Sequence, residues 1–260
     1  MIPTSEIDKE RFRAACEQFA AAERTRDSIG TLGEKSLHAV LKWYYETDGD
    51  RHEVPIGSYV ADIVGEHGVI EIQTRNFVKL KPKLTELLTA APVTVVYPII
   101  SQKNIINTSA ETGEVLCSRR SPKHGSLYTS IHELYAIREM LADPRLTVKL
   151  PLLAADEVRV FGVKTKRRKK QHTRSGEYVS DIMPNAILDE ITLAQPQDYR
   201  IFLPSNLSGP FDSAEFAAAA RIDRTAAQRI LNILTHLGLT AVEGKRGRCK
   251  LYSICPEISC

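Results

Sequence analysis

The sequence predicts a mixed α/β (α+β) fold: one main domain followed by a small module of two helices and two strands. The first observation is the order of the periodic segments, in which helices alternate with short strands rich in Val, Ile and Tyr over residues 5–143. The second is the composition of the 260 residues, with 43% hydrophobic and 26% charged side chains. These values are ordinary for globular proteins and exclude a disordered chain, a collagen-like repeat and a coiled-coil rod.

The first half of the chain contains the clearest patterns. Helices are expected at 5–26 and 31–45, where Thr31 is a candidate N-cap with Glu34 three residues later. Strands at 52–64 and 68–74 form a predicted hairpin that turns at 65–68. A helix at 78–90 must place Pro82 in its first turn, and the continuous apolar run 93–99 is typical of a buried strand. A hairpin over 104–120, turning at 111–114, and a helix at 130–143 complete this part.

The second half is read as a connecting region and a C-terminal module. Strands are predicted at 148–153, where Pro151 indicates a sheet edge, and at 158–163. A strand and a helix are expected within 178–191. Helices at 213–220 and 224–237, followed by strands at 239–242 and 249–254, form the module. The predicted domains are therefore 1–150, a connecting region 151–204 with a basic loop, and 205–260.

Several protein classes are excluded by what the sequence lacks. No apolar run approaches the roughly 20 residues that a membrane helix needs, and the N-terminus has no apolar signal region. The five cysteines are scattered and form no C-x-x-C pair, which argues against a disulfide framework and a structural zinc site. We therefore expect a cytoplasmic protein without a membrane partner.

The positive charge is concentrated in one segment. The chain has 35 basic and 32 acidic residues, and seven of the basic ones lie within 164–174. Such a cluster is typical of a solvated loop, a nuclear-localisation-like segment or a phosphate contact. Its candidate DNA-binding residues are Lys166, Arg167, Arg168, Lys169 and Lys170.

Two carboxylates on neighbouring strands form the first candidate site. Asp62 lies in one predicted strand and Glu71 in the next, and Glu71 shares a strand face with Gln73 because they are two residues apart. Paired carboxylates suit Mg²⁺, which takes oxygen ligands, activates water and stabilises charge on a phosphate. Taken alone, the same alternation is also what a half-exposed strand shows.

The order GEKSLH at 33–38, then Asp62, then IEIQ at 70–73, then a lysine-bearing helix resembles the PD-(D/E)XK nuclease superfamily. The resemblance covers about 5–100 and implies a restriction-endonuclease-like core, a mixed sheet flanked by helices. It implies metal binding by Asp62 and Glu71, with the backbone carbonyl of Ile72 as a third ligand. Glu34 matches the helix glutamate of the family and would act through a water or a second metal ion.

Gln73 departs from the family pattern, which usually has lysine at this position. Glutamine can orient a water but carries no charge and cannot act as a base near neutral pH. Lys79, Lys83 or Arg75 could supply the missing cation, although each also suits a solvated surface. His38, one helical turn beyond Glu34, is a candidate to support the site or an ordinary helix histidine.

The segment 210–254 resembles winged-helix domains, in which the second helix enters the DNA major groove and the wing contacts the backbone. The helix would offer Arg224, Thr225, Gln228, Arg229 and Asn232, and the wing would offer Lys245, Arg246 and Arg248. Arg119 and Arg120, in a separate basic segment, are candidate phosphate contacts or plain exposed residues. Winged helices also serve as protein-interaction modules, so that alternative remains.

The sequence therefore predicts a Mg²⁺-dependent DNA endonuclease in which Mn²⁺ can replace Mg²⁺. Asp62 and Glu71 would hold the metal, Gln73 would position the water and the winged helix would bind DNA. The alternatives are a catalytically inactive nuclease-fold DNA-binding protein and a winged-helix protein-interaction module. Nucleases of this superfamily often act as dimers because two strands need two sites, so a homodimer is also an open expectation.

Overall fold

The computed structural model describes residues 7–25, 36–162 and 178–256 of the chain. The helices are α1 (Lys9–Thr25), α2 (Ser36–Tyr45), α3 (Phe77–Ala90), α4 (Ile131–Ala136), α5 (Ser213–Ala220) and α6 (Arg224–His236). The strands are β1 (His52–Ile56), β2 (Tyr59–Gly65), β3 (Gly68–Ile72), β4 (Val93–Val96), β5 (Ile99–Ser109), β6 (Val115–Arg120), β7 (Leu146–Phe161), β8 (Tyr178–Leu193), β9 (Thr240–Arg246) and β10 (Cys249–Ile254). Short 3-10 helices lie at Gly49–Arg51, Leu127–Ser130, Arg138–Met140 and Pro196–Phe202. The fold is thus a mixed α+β fold, as the sequence predicts.

The main sheet has eight strands organised around β7. Along one edge of β7 run first β4 and then β5, both parallel to it, while β8 pairs antiparallel along the other edge. β3 pairs parallel with β4 and continues into the antiparallel β2 and β1, and β6 pairs antiparallel with β5. Strands β4 and β5 are separated only by Tyr97 and Pro98. Together they form one long strand, with a break, along this edge of β7.

Helices cover both faces of this sheet and enclose two hydrophobic cores. One core joins α3, α4, the sheet and the C-terminal module, with Leu84, Val95, Val148 and Phe216 all fully buried. The other lies under α1 and α2 and contains Phe12, Leu41, Ile63 and Leu153. Burying apolar surface on both faces is the main stabilising contribution to such a layered fold.

Residues 213–254 form the predicted module of two helices and a two-stranded hairpin. Asp212 caps α5 by accepting hydrogen bonds from two backbone amides of the first turn, and Asp223 caps α6 by accepting one from the amide of Ala226. The module shares a core with the main sheet, and α6 packs against α4. The chain between them, predicted as a connecting region over 151–204, supplies most of β7 and all of β8 to the main sheet.

The position predicted for Pro151, at a sheet edge, is wrong, because β7 is paired on both sides. β4 pairs with β7 as far as Lys149, and β5 pairs with it again from Leu152. Pro151 therefore lies opposite the break between β4 and β5, where its missing amide N–H leaves no ladder hydrogen bond unmade on that side. The two short strands predicted at 148–153 and 158–163 are consequently one strand.

Two further predictions are corrected by the structure. The helix expected within 178–191 is absent, because this stretch pairs along β7 as one strand, β8. Pro82 lies inside α3 rather than in its first turn. The helix continues past Pro82 because Leu80, Leu84 and Leu87 bury one side of it against the sheet. No helix in the described ranges is long and apolar enough to cross a membrane.

Candidate metal centre and nucleic-acid interface

Asp62 on β2 and Glu71 on β3 lie side by side where the hairpin ladder ends. The last registered pair before them is Ile63 with Ile70. Beyond it, side chains replace the backbone ladder: the amide of Ile72 donates to Asp62 Oδ2 at 2.7 Å, and the amide of Asp62 donates to Glu71 Oε1 at 3.2 Å. These reciprocal bonds fix both carboxylates against the opposite strand.

Lys83 completes this cluster from helix α3. Its Nζ lies 2.5 Å from Glu71 Oε2, and the lysine and glutamate side chains are 18% and 2% exposed. Helix α3 is anchored at its start by Glu133, whose Oε2 accepts a hydrogen bond of 2.7 Å from the amide of Phe77. Because Leu80 and Leu84 point into the core, Lys83 lies beside them at the sheet surface.

His38 approaches the same cluster from the opposite face of the sheet. Its Nε2 lies 3.2 Å from Asp62 Oδ2, and both side chains are only partly exposed. Asp62 is thereby held between α2 and the backbone of β3, while Glu71 is held between β2 and α3. The sequence analysis considers His38 as a support for Glu34, as part of the metal site or as an ordinary helix histidine, and the structure places it beside Asp62.

The two carboxyl groups have different protonation behaviour. Burial acts to raise the pKa of Asp62, but His38, the Ile72 amide and Lys83 outweigh it, so the pKa lies below its usual value. Burial raises the pKa of Glu71 to about 7, and the charge of Asp62 acts in the same direction against Lys83. When two carboxyl groups share a site, the repulsion between like charges separates their pKa values, so one group ionises before the other.

The donor set suits a hard divalent cation that keeps most of its waters. Asp62 and Glu71 offer carboxylate oxygens, and Asp62 Oδ1 has no hydrogen-bond partner among the described residues. Within those residues, no three His, Cys, Asp or Glu side chains are grouped to hold a metal ion. A cation here would therefore have two carboxylate ligands and otherwise water or substrate oxygens, which is common for Mg²⁺.

The other predicted auxiliaries lie apart from this cluster. Gln73 is half-buried, and its amide nitrogen donates to the carbonyl of Arg75 at 2.5 Å, so it is tied to the turn before α3. Lys79 and Arg75 are exposed. Of the three cations considered from the sequence, Lys83 is the one that the structure brings to Glu71. Glu34, the candidate helix glutamate, lies outside the described residues.

A basic groove separates α6 from the hairpin strand β10. It has a volume of about 280 Å³ and is lined by Ser213, Arg224, Gln228, Arg248, Cys249, Lys250 and Tyr252. None of these lining residues is acidic, and Gln228, Arg248 and Lys250 have no side-chain partner within the described part of the chain. Arg224 hydrogen-bonds to the neutral Ser213 Oγ and Cys249 Sγ, each at 3.3 Å.

The exposed stripe of α6 faces away from the core. Arg224, Thr225, Gln228 and Asn232 are exposed, as expected for residues that repeat at helical spacing opposite the buried Ile230 and Leu231. Lys245 and Arg248 at the tip of the hairpin are also exposed. Lys250 and Ser213 are not identified from the sequence. Lys250 lies on β10, two residues after Arg248 in the preceding turn, and this two-residue spacing is the signal that could have indicated it.

Two predicted DNA contacts, Arg229 and Arg246, have charged or aromatic protein partners instead. Arg229 hydrogen-bonds to His132 on α4 and lies over the ring of Tyr135. Arg246 forms a salt bridge of 2.9 Å with Glu215 on α5. In the case of Arg229, the interaction joins the C-terminal module to α4.

The remaining basic candidates are distributed along the sheet. Arg119 and Arg120 are exposed on the edge strand β6, next to each other and therefore on opposite faces. The basic cluster at 164–174, with Lys166, Arg167, Arg168, Lys169 and Lys170, lies outside the described residues. The structure thus places Arg119 and Arg120 on β6 and leaves the cluster without a described position.

The fold and site define an α+β protein with a paired-carboxylate site on its sheet and a basic two-helix module packed beside it. The chain belongs to the family described as a domain of unknown function (DUF8091), whose profile matches residues 35–194. It is also 28% identical over 227 residues to an uncharacterized protein of Treponema pallidum (strain Nichols), covering 86% of this chain and 87% of that protein. No solved structure matches the chain. The region that the family profile matches contains Asp62, Glu71 and Lys83 and ends before the C-terminal module.

Proposed function

We propose that the protein is a Mg²⁺-dependent nuclease that hydrolyses phosphodiester bonds in DNA and binds DNA through its C-terminal module. The observation that carries the proposal is the cluster of Asp62, Glu71 and Lys83, in which two carboxylates and one ammonium group meet at a splayed strand end. Paired carboxylates with a nearby lysine are what the resemblance to the PD-(D/E)XK superfamily implies. Here the lysine comes from helix α3 instead of the Gln73 position.

Each residue has a defined task in the proposed reaction. A bound Mg²⁺ or Mn²⁺ would activate water and stabilise charge on the scissile phosphate. Asp62 and Glu71 offer the oxygens that would hold it, and His38 keeps Asp62 oriented. Lys83 supplies a positive charge beside Glu71, where negative charge would develop during phosphoryl transfer. Gln73, held by the Arg75 carbonyl, keeps its amide oxygen available to a water.

DNA binding is proposed on the basis of the groove between α6 and β10. Arg224, Arg248 and Lys250 place three cations around it, with no acidic residue among the residues that line it. Cations of this kind bind phosphate oxygens, while Gln228 is suited to a base edge. A cytoplasmic location belongs to the same proposal and is supported by the free thiols of Cys16, Cys117, Cys249 and Cys255.

The test is a plasmid-nicking assay with Mg²⁺ or Mn²⁺ on wild type, Asp62→Asn and Glu71→Gln. Glu66→Gln serves as a matched control because Glu66 is an exposed carboxylate in the turn between β2 and β3. We expect cleavage by wild type and by the control, and a loss of at least about 100-fold in both site variants. Folding of each variant is checked by circular dichroism. Equal cleavage by wild type and both site variants would refute the metal-site assignment.

A second candidate function is DNA binding without catalysis. It is favoured by one observation: both oxygens of Glu71 already accept hydrogen bonds, from Asp62 N and from Lys83 Nζ. A scaffold of this kind would bind DNA with a steep salt dependence but would show no Mg²⁺-dependent rise in melting temperature. A thermal-shift titration with Mg²⁺ on wild type and Asp62→Asn therefore distinguishes the two functions.

A further inference from the structure

A small hollow lies on the main sheet at the level of Ala154 and Ala155 in β7. Its volume is about 200 Å³, and the two alanines are accompanied by Gln102, Lys103, Asn104, Arg120 and Asn185. On the face of β7 that carries Ala154, this small side chain leaves room that a larger residue would fill, while Ala155 points to the other face and is buried. The hollow is thus bordered by amide and cationic side chains, and none of the residues that line it is acidic.

Two β-bulges border this hollow, one on each neighbour of β7. On β5, Ile100 pairs with Leu153 and Gln102 with Ala154, so Ser101 is an extra residue. On β8, Ala186 pairs with Ala154 and Pro184 with Ala155, so Asn185 is an extra residue. Bulges redirect side chains and occur often next to functional sites. Because both bulges lie beside Ala154, they change the direction of side chains on both sides of the hollow.

Three polar side chains around the hollow have no partner among the residues that the structure describes. Gln102, Arg120 and Asn185 are exposed, and in the described ranges their side chains make no hydrogen bond or ion pair. By contrast, Lys103 is bonded to Glu157 at 2.5 Å, and Asn104 donates to Asp156 at 2.9 Å. The unpartnered set therefore consists of one guanidinium and two amides, which are suited to a phosphate oxyanion.

The hollow lies on the same sheet face as Glu71. Glu71 is opposite Val95 on β4, which is in turn opposite Val148 on β7. Because side chains alternate along a strand, Val148 and Ala154 share a face of β7. Gln102 lies opposite Ala154 and Asn104 opposite Arg120, so Arg120 belongs to that face as well. Helix α3, which carries Lys83, covers another part of it.

We infer that this hollow binds one phosphate group of the nucleic-acid backbone through Arg120, Gln102 and Asn185. The inference rests on the proposed DNA binding and adds a contact on the sheet, outside both the carboxylate cluster and the groove of the C-terminal module. Arg120 forms the charge-assisted bonds, and the two amides fix the position of the phosphate. Asn185 takes part because the bulge on β8 frees it from the regular ladder.

The test measures the salt dependence of binding to a fluorescein-labelled DNA duplex by anisotropy, without divalent metal so that no cleavage occurs. We expect Arg120→Ala to weaken binding and to make the slope of log affinity against log salt shallower by about one, as for the loss of one phosphate contact. Arg119→Ala is the matched control, because it removes the same charge from the opposite face of the same strand. Ala154→Val fills the hollow without changing charge and should also weaken binding.

Each outcome is decisive for one of the two proposals. If wild type does not bind the duplex, the proposed DNA binding fails. If wild type binds but Arg120→Ala keeps the wild-type slope, the phosphate site is wrong while DNA binding stands. Equal losses in Arg119→Ala and Arg120→Ala, with no effect of Ala154→Val, would also overturn the site, because the effect would then be one of general charge.

Discussion

Lys83 Nζ lies 2.5 Å from Glu71 Oε2, although the two residues belong to different elements and lie on α3 and β3. The glutamate is almost fully buried, and the lysine provides a positive charge in direct contact with it. Leaving a buried charge without its partner is costly, so the pair also fixes the position of α3 relative to the sheet. The same contact places an ammonium group next to Asp62.

Replacing Lys83 should reduce catalysis far more than replacing Lys79. Both lysines lie on α3, but Lys79 is exposed and makes no side-chain bond within the described residues. We expect Lys83→Met to lower single-turnover nicking by about 100-fold, because one electrostatic donor is removed from the transition state. Lys79→Met should stay within about twofold of wild type. Similar losses in both variants would contradict a specific role for Lys83.

His38 should control metal affinity through Asp62. Removing a side chain that orients a metal ligand typically costs about 10- to 100-fold in affinity. We expect His38→Ala to weaken Mn²⁺ binding by this amount in a calorimetric titration. His38→Gln should retain much of the affinity, because its amide can still donate to Asp62 Oδ2. A His38→Ala variant with wild-type affinity would show that the contact of 3.2 Å does not orient the ligand.

Much of the fold was predictable because its patterns are local. The hairpin of β2 and β3, helix α3 and the capped helices of the C-terminal module follow from apolar periodicity and turn residues. β7 was not predictable as one strand, because the effect of Pro151 depends on a break between β4 and β5 elsewhere in the chain. A single sequence does not reveal that coincidence.

In the candidate site, too, local sequence patterns predict what lies close in the chain but not how distant segments pack together. Asp62 and Glu71 were predicted as neighbours because a short hairpin connects them, and the structure brings them together. The choice of Lys83 among three cations depended on how α3 packs on the sheet, which the sequence pattern left open. The helical pattern predicts Arg229 as a DNA contact on α6, but its position next to α4 depends on the packing of two distant segments.

Arg229→Ala should lower stability with little effect on DNA binding. The guanidinium lies 5.8 Å from the ring centroid of Tyr135, whose ring also carries Arg138 at 4.8 Å. Loss of one cation–π contact and of the bond to His132 should reduce the free energy of unfolding by about 1 kcal/mol. Chemical denaturation measures this change.

The matched comparison is Arg224→Ala, on the exposed side of the same helix. We expect it to make the salt slope of DNA binding shallower by about one, with a stability change below about 0.5 kcal/mol. Arg229→Ala should keep the wild-type slope. If Arg229→Ala instead lowered the slope and left stability unchanged, α6 would bind DNA through a different face.

Glu157 should make the stability of the sheet depend on pH. Its side chain is 8% exposed and forms ion pairs with Lys103 at 2.5 Å and with Arg159. Burial acts to raise its pKa, but the hydrogen bonds and charges of Lys103 and Arg159 outweigh it, so the pKa lies below its usual value. The folded protein therefore binds this proton more weakly than the unfolded chain does.

The sign of the effect follows from this difference. The contribution of Glu157 is fully present above the pKa of the unfolded chain, about 4.3, and is lost as the pH falls through the lower pKa of the folded state. Glu157→Gln should thus be less stable than wild type by about 2 kcal/mol at neutral pH, and the difference should shrink in acid. The control Glu114→Gln changes an exposed carboxylate in the turn between β5 and β6 and should leave the pH dependence unchanged. Urea denaturation over a pH series measures all three proteins, and a constant difference at every pH would contradict the ionised pairing of Glu157.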